Sequence, residues 1–146
     1  ARCILVGYID ENPTAIPNKK LQSWITDGVV EYYGQMDDVR SAIRESNIYV
    51  LPSYREGMAR TILEAMAMGR PVITTDVPGC RETTIHGVNG FLIEKKNINS
   101  LVNAMKYFIL NPHSIASMGA QSLKIVREKF DVKLITRILV SEISRG

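Results

Sequence analysis

Glu56 and Glu64 stand eight positions apart in YREGMARTILEAMAMGRPVITT, the first in a Gly-containing turn and the second on the helix expected to follow. An ionised carboxylate only accepts hydrogen bonds, and it repels phosphate, so Glu56 is better suited to hydroxyl groups such as those of a sugar. Glu64, one to two turns into the helix, can accept two bonds from a vicinal diol such as a ribose. Between them the helix begins. Backbone N–H groups near Met58, Ala59 and Arg60 have no partner within the helix, and the macrodipole adds about half a positive charge there, which suits a diphosphate. Gly57 lets backbone approach a ligand closely, and Arg60 can add a charge-assisted contact to phosphate. Sugar, diphosphate and ribose together describe a nucleotide-sugar. Spacing alone also allows Glu56 to cap the helix and Glu64 to be an ordinary exposed helix residue.

The elements around these residues place them at a sheet edge. The run Ile48, Tyr49, Val50, Leu51 is too short for a helix and is stopped by Pro52, so it reads as a fully buried strand. Residues 53–57 form a turn and residues 59–68 a densely apolar helix, closed by Gly69 as C-cap and by Pro71 beyond. A buried strand over 72–74 completes a crossover, which is right-handed in nearly all parallel sheets and opens its loop at the carboxyl edge. Upstream, strands are expected over 3–6 and 29–33 and helices over 19–26 and 37–45, the second capped by Asp37. Downstream, Asn89-Gly90 signals a turn before a short strand over 91–93. Helices follow over 98–110, broken at Pro112, then 114–130 and 132–144, the last with Leu134, Ile135, Ile138, Leu139 and Ile143 on one face. Alternating strands and helices predict a doubly wound, Rossmann-like α/β parallel sheet with helices at the C-terminal end.

The wider string EGMARTILEAMAMGRPVITTDVPGCRETTIHGVNGFLI resembles the C-terminal donor-binding domain of retaining glycosyltransferases of the GT-B fold, the large family 4 also described as glycosyl transferases group 1. The pieces match in order: Glu56 to Glu64 as E-x7-E, EAMAMGRPVI, an acidic Glu82 after PGC, and NGFLI, over most of the chain. The resemblance implies that Glu56 touches the donor sugar and supports the transition state. It implies that backbone at Gly57, Met58 and Ala59 lies along sugar and diphosphate, and that Glu64 binds ribose. The family often has Gly or Pro at the position of Ala59. Ser53 and Tyr54 would line the donor pocket, Gly34 and Gln35 would border the base, and Glu82 would sit on a loop beside the donor. No metal and no cofactor is implied, because helix dipole and basic side chains meet the leaving-group charge.

The resemblance also implies what surrounds this chain. A first strand and helix carrying an Arg and a Lys would precede residues 3–6, and an N-terminal acceptor domain would form the other wall of the cleft. Residues 1–146 therefore read as one partial domain, inactive in transfer alone. The strand normally between those of residues 3–6 and 48–51 is expected to be missing. Either these two strands pair directly or another chain fills the gap, which makes a homodimer through exposed sheet edges an expectation. The PGCRE variant is similar to bacterial capsule and O-antigen transferases, pointing to a UDP-sugar donor, a lipid-linked sugar acceptor and a place in the cytoplasm at the inner face of the plasma membrane. Two alternatives stay open: a nucleotide-sugar epimerase of GT-B architecture, and a non-catalytic nucleotide-binding or assembly domain.

Composition excludes other classes. The chain has 146 residues, 45% hydrophobic, with no apolar run near the roughly 20 residues that span a membrane. A net charge of +3 is too mild to argue for nucleic acid. Cys3 and Cys80 lie far apart, which suggests reduced thiols. His86 and His113 are isolated from each other and from acidic clusters, so no metal site is expected there. Lys19-Lys20 and Lys95-Lys96 read as solvated surface. Neither a dinucleotide fingerprint nor a P-loop is present.

Overall fold

The computed structural model describes residues 1–10, 12, 15–57 and 60–130, so Met58, Ala59 and the helix expected over 132–144 lie outside the described residues. Two units divide the chain, Ala1–Ser46 and Asn47–Gly146.

The first unit contains β1 (Ile4–Val6), α1 (Asn18–Thr26), β2 (Glu31–Gly34) and α2 (Arg40–Glu45). β1 and β2 run parallel, pairing Ile4 with Glu31 and Leu5 with Tyr32. Parallel neighbours require a crossover, and α1 supplies it. Leu21, Ala42 and Ile43 are the buried apolar side chains described here. The expected cap on α2 is corrected. Asp38, not Asp37, accepts the Arg40 backbone N–H at 3.0 Å, and the helix starts at Arg40 behind Val39. An aspartate readily bonds the N–H two residues on, and Asp38 stands at that offset from Arg40.

The second unit contains β3 (Tyr49–Leu51), α3 (Arg60–Ala67), β4 (Val72–Thr75), β5 (Gly90–Ile93), α4 (Ile98–Leu110) and α5 (His113–Lys129). Its sheet has the order β3-β4-β5, parallel throughout, with β4 central. All four residues of β4 are buried. β3 was expected to be equally buried, but its three residues are only half-buried. The reason is position: among the described residues β4 has a partner on both sides and β3 on one. Each ladder lies within one unit, β1 with β2 in the first and β3 with β4 and β5 in the second.

Side chains alternate across a strand, and that alternation makes two cores. Val72 packs with Ile62, Met66, Val77, Cys80 and Ile125, joined by Tyr49 and Leu51. Ile73 packs with Ile93, Ala104, Phe108 and Met118, joined by Val50 and Phe91. Helix α5 serves both clusters, with Met118 in one and Ile125 in the other. The doubly wound α/β architecture is therefore present.

Local signals set the helix ends. The Arg70 N–H bonds the Ala65 carbonyl at 3.0 Å and the Gly69 N–H bonds the Met66 carbonyl at 2.9 Å, which closes α3 at the expected Gly69 in a Schellman motif. Asn97 caps α4 by accepting from the Ser100 N–H at 3.0 Å. The Asn89-Gly90 pair does more than turn the chain. Asn89 is fully buried, accepts the Ile85 N–H at 2.7 Å and donates to the Thr83 carbonyl at 3.2 Å. A Cβ at Gly90 would fall 1.7 Å from the Val72 carbonyl oxygen, so only glycine lets β5 lie against β4 there.

Candidate functional site

At the carboxyl ends of β3 and β4 two loops approach each other, and the first of them carries Glu56. After Leu51 the chain turns tightly: the Ser53 N–H bonds the Leu51 carbonyl at 3.0 Å and the Ser53 hydroxyl bonds the Arg55 carbonyl at 3.2 Å. Tyr54 is exposed, Glu56 half-buried and Gly57 exposed. A Cβ at Gly57 would meet no atom of the described residues within 4 Å, which leaves room for a ligand to approach the backbone there. Helix α3 begins at Arg60. The Arg60 guanidinium lies 3.7 Å from the half-buried Glu64 carboxylate, a loose pair one helical turn apart, with the Arg60 side chain 89% exposed. The residue expected to meet phosphate and the residue expected to meet ribose are thus neighbours.

The loop after β4 closes on the first. Its Gly79 takes φ +85°, and a Cβ there would fall 2.0 Å from the Gly57 carbonyl oxygen and 2.5 Å from that of Glu56. The Glu82 carboxylate accepts the Gly79 N–H at 2.7 Å. Gly57, Gly79, Glu82, Thr83 and Phe130 line a cavity of about 200 Å³. That is smaller than the roughly 300–1,000 Å³ typical of small-molecule sites.

Two groups, the half-buried Tyr49 and the buried Cys80, register the carboxylates. Burial pushes the Tyr49 hydroxyl pKa up, and the charges of Glu56 and Glu64 push it the same way against its 2.7 Å bond to Thr61. Burial likewise raises the Cys80 thiol, a hydrogen bond with Thr74 opposes it, and Glu56 and Glu82 add to the rise. Glu56 acts on both groups, so the three glutamates share one neighbourhood. Tyr49 and Cys80 were not among the expected site residues. The signal for Tyr49 was available in the alternation of β3, which turns Tyr49 and Leu51 to the α3 face.

Gly34 ends β2 in the first unit and accepts the Gly7 N–H at 3.0 Å, and Gln35 beyond it is exposed. Lys95 and Lys96 each place Nζ 5.9 Å from the Tyr54 ring, so these lysines pack on an aromatic face as well as facing solvent. His86 bonds the Leu92 backbone through Nδ1 at 3.2 Å. Both cysteines are free, Cys3 exposed and Cys80 buried. Among the described residues no three His, Cys, Asp or Glu side chains could hold a metal ion, and no helix is long and apolar enough to cross a membrane.

The chain is similar to known proteins. The family described as glycosyl transferases group 1 matches residues 1–111. The N,N'-diacetylbacillosaminyl-diphospho-undecaprenol alpha-1,3-N-acetylgalactosaminyltransferase of Campylobacter jejuni is 36% identical over 101 residues, covering 69% of this chain and 26% of that protein. The capsular polysaccharide biosynthesis glycosyltransferase CapM of Staphylococcus aureus is 31% identical over 106 residues, 73% of this chain and 28% of CapM. The structure of Anabaena Alr3699/HepE in complex with UDP superposes with a TM-score of 0.86 at 26% identity, over 99% of this chain and 41% of that one. The chain thus spans roughly a quarter to two fifths of the length of these relatives. With the family matched over 111 of its 146 residues, the chain belongs to the glycosyl transferases group 1 family, with the α/β architecture of the GT-B glycosyltransferases.

Proposed function

We propose that this chain is the donor-binding part of a retaining glycosyltransferase that takes a nucleotide-diphosphate sugar, with UDP as the nucleotide. The observation that carries the reading is the placement of Glu56 in the loop after β3 and of Glu64 beside Arg60 on α3, at the carboxyl edge of a parallel sheet. The likeness to Alr3699/HepE, solved with UDP and with UDP-glucose, supports the choice of UDP.

In this reading Glu56 orients the donor sugar and supports the transition state. Backbone at residues 57–59, the start of α3 and Arg60 meet the charge that develops on the leaving diphosphate, with no catalytic metal. Glu64 accepts from the ribose hydroxyls, a task that separates its carboxylate from the loose pair with Arg60. The relative named for a diphospho-undecaprenol substrate, in Campylobacter jejuni, supports a lipid-linked acceptor. A protein using such an acceptor works at the inner face of a membrane, in bacterial surface polysaccharide synthesis. The share of each relative that the chain spans supports a narrower role for these residues taken alone: they bind donor and do not transfer.

Calorimetric titration with UDP, GDP and ADP tests the binding, first on this chain and then on the full-length protein. Glu64→Ala is expected to weaken UDP by about 10- to 100-fold, the range for a hydrogen bond to a charged group. Unchanged affinity would remove Glu64 from the ribose site. Glu56→Gln in the full-length protein is expected to lower kcat by about 10²- to 10³-fold, and a loss under threefold would end its proposed role. Conversion of the donor to its epimer without acceptor would replace the transferase reading with an epimerase.

A further inference from the structure

We infer that Glu82 is a positioning residue for the Glu56–Gly57 loop, acting through the Gly79 backbone rather than by touching the donor. The inference rests on the donor-site reading above.

Three observations converge on it. First, the Glu82 carboxylate accepts the Gly79 N–H at 2.7 Å, a charge-assisted bond inside its own turn. Second, Gly79 lies so close to the neighbouring loop that a Cβ would come within 2.0 Å of the Gly57 carbonyl oxygen and 2.5 Å of the Glu56 carbonyl oxygen. The two loops therefore lie backbone to backbone, and a shift of Gly79 toward its neighbour would displace the carbonyls of Glu56 and Gly57. Third, Glu82 stands on a fixed base. Its neighbour Thr83 is 1% exposed and bonds the Cys80 carbonyl through its hydroxyl at 2.6 Å. The Thr83 carbonyl is held by Asn89 at 3.2 Å, and Asn89 is held in turn by Ser122 of α5, whose hydroxyl donates to the Asn89 carbonyl at 3.3 Å.

These contacts form one chain from α5 to the acidic loop. Ser122 and Asn89 fix Thr83, Glu82 fixes Gly79, and Gly79 limits where Glu56 and Gly57 can lie. A catalytic carboxylate needs that restraint, because misplacement by about 1 Å can cost about a hundredfold in rate.

Two variants separate positioning from direct contact. Glu82→Ala removes the acceptor, while Glu82→Gln keeps an oxygen that can take the Gly79 N–H but has no charge. Hydrogen exchange on the ligand-free protein reads the hold directly. Glu82→Ala is expected to speed exchange at Gly79 and across residues 53–57 by about tenfold, and Glu82→Gln to recover most of that protection. In the full-length protein with UDP-glucose as probe, Glu82→Ala is expected to lower kcat about tenfold with a smaller change in KM, and Glu82→Gln to recover most of it.

Unchanged exchange at residues 53–57 in Glu82→Ala overturns the inference. So does a kcat loss in Glu82→Gln as large as in Glu82→Ala while Gly79 stays protected, since the charge would then act on the ligand. A wild-type protein that neither binds UDP nor turns over UDP-glucose would defeat the donor-site reading instead, and the exchange measurement would still decide the hold of Glu82 on Gly79.

Discussion

Residues Ala1–Ser46 and Asn47–Gly146 share an alternation of strand and helix but are held together by different forces. In the first unit the described apolar burial is limited to Leu21, Ala42 and Ile43, and the side-chain links are mostly at the surface. Arg2 grips Glu31 through two bonds of 2.7 and 2.6 Å, Arg40 grips Asp38, and Tyr33 donates to Glu45 at 3.0 Å, all exposed. The second unit has an apolar cluster on each face of its sheet and buried polar side chains that are bonded. Exposed ion pairs contribute little because water screens them and side-chain entropy opposes them, whereas burial acts on every side chain it covers. The loops bearing Glu56 and Glu82 stand on the better-packed unit. A group that must be held to within about half an ångström belongs on such a support.

The sharpest way to break this comparison is to empty one of the second unit's cores. Phe108 is 2% exposed and meets Phe91 and Tyr107 edge to face, so Phe108→Ala is expected to destabilise the second unit by about 3–5 kcal/mol in denaturant unfolding. A loss below about 1 kcal/mol would mean that the cluster is not a core. Next in size is Asn89→Ala. It strands the Ile85 N–H and the Thr83 carbonyl, at about 1–3 kcal/mol for a buried polar group left without a partner.

The smallest effects are expected from the first unit's ion pairs. Arg2→Ala should leave the denaturation midpoint of the second unit where it was, and should let the Glu31 carboxyl rise toward the ordinary range. Its hydrogen bond to Arg2 holds it below that range. Asp38 offers the finest measure. Hydrogen bonding to Arg40, first from the side chain and then from the backbone, lowers its carboxyl to about 2. Because the folded value lies below the ordinary value of about 3.9, the contribution of this pair is present above about pH 4 and is lost as pH falls toward 2. An NMR titration of Asp38 is expected to show its midpoint near 2, moving up in Arg40→Ala. A midpoint near 4 in the unaltered protein would remove the pair from the account.

Much of this was legible in residue order. The run from Ile48 to Leu51, the apolar helix after it and its stop at Gly69 are local features, and the strand, helix and cap appear within a residue or two of where they were expected. Pro112 separates α4 from α5 for the same reason, since proline cannot continue the first helix. Errors came where two local options compete or where burial depends on neighbours. Asp37 and Asp38 were both able to start α2, and the offset to Arg40 chose the second. Asn89-Gly90 carried a turn signature that does not reveal a buried amide bonding Ile85 and Thr83. The half-burial of β3 depends on which strands flank it.

The same division holds for the candidate site. Sequence by itself determined that Glu56 and Glu64 bracket a helix start at a sheet edge, because strand, turn and helix signals act over a few residues. Only the tertiary structure decided that Gly79 rests against Glu56 and Gly57, that Glu82 is bonded to that glycine, and that Tyr49 and Cys80 feel the glutamate charges. Glu56 and Gly79 are brought together by the parallel pairing of β3 with β4 around a crossover helix, and the meeting of two loops across such a crossover is set by packing in three dimensions.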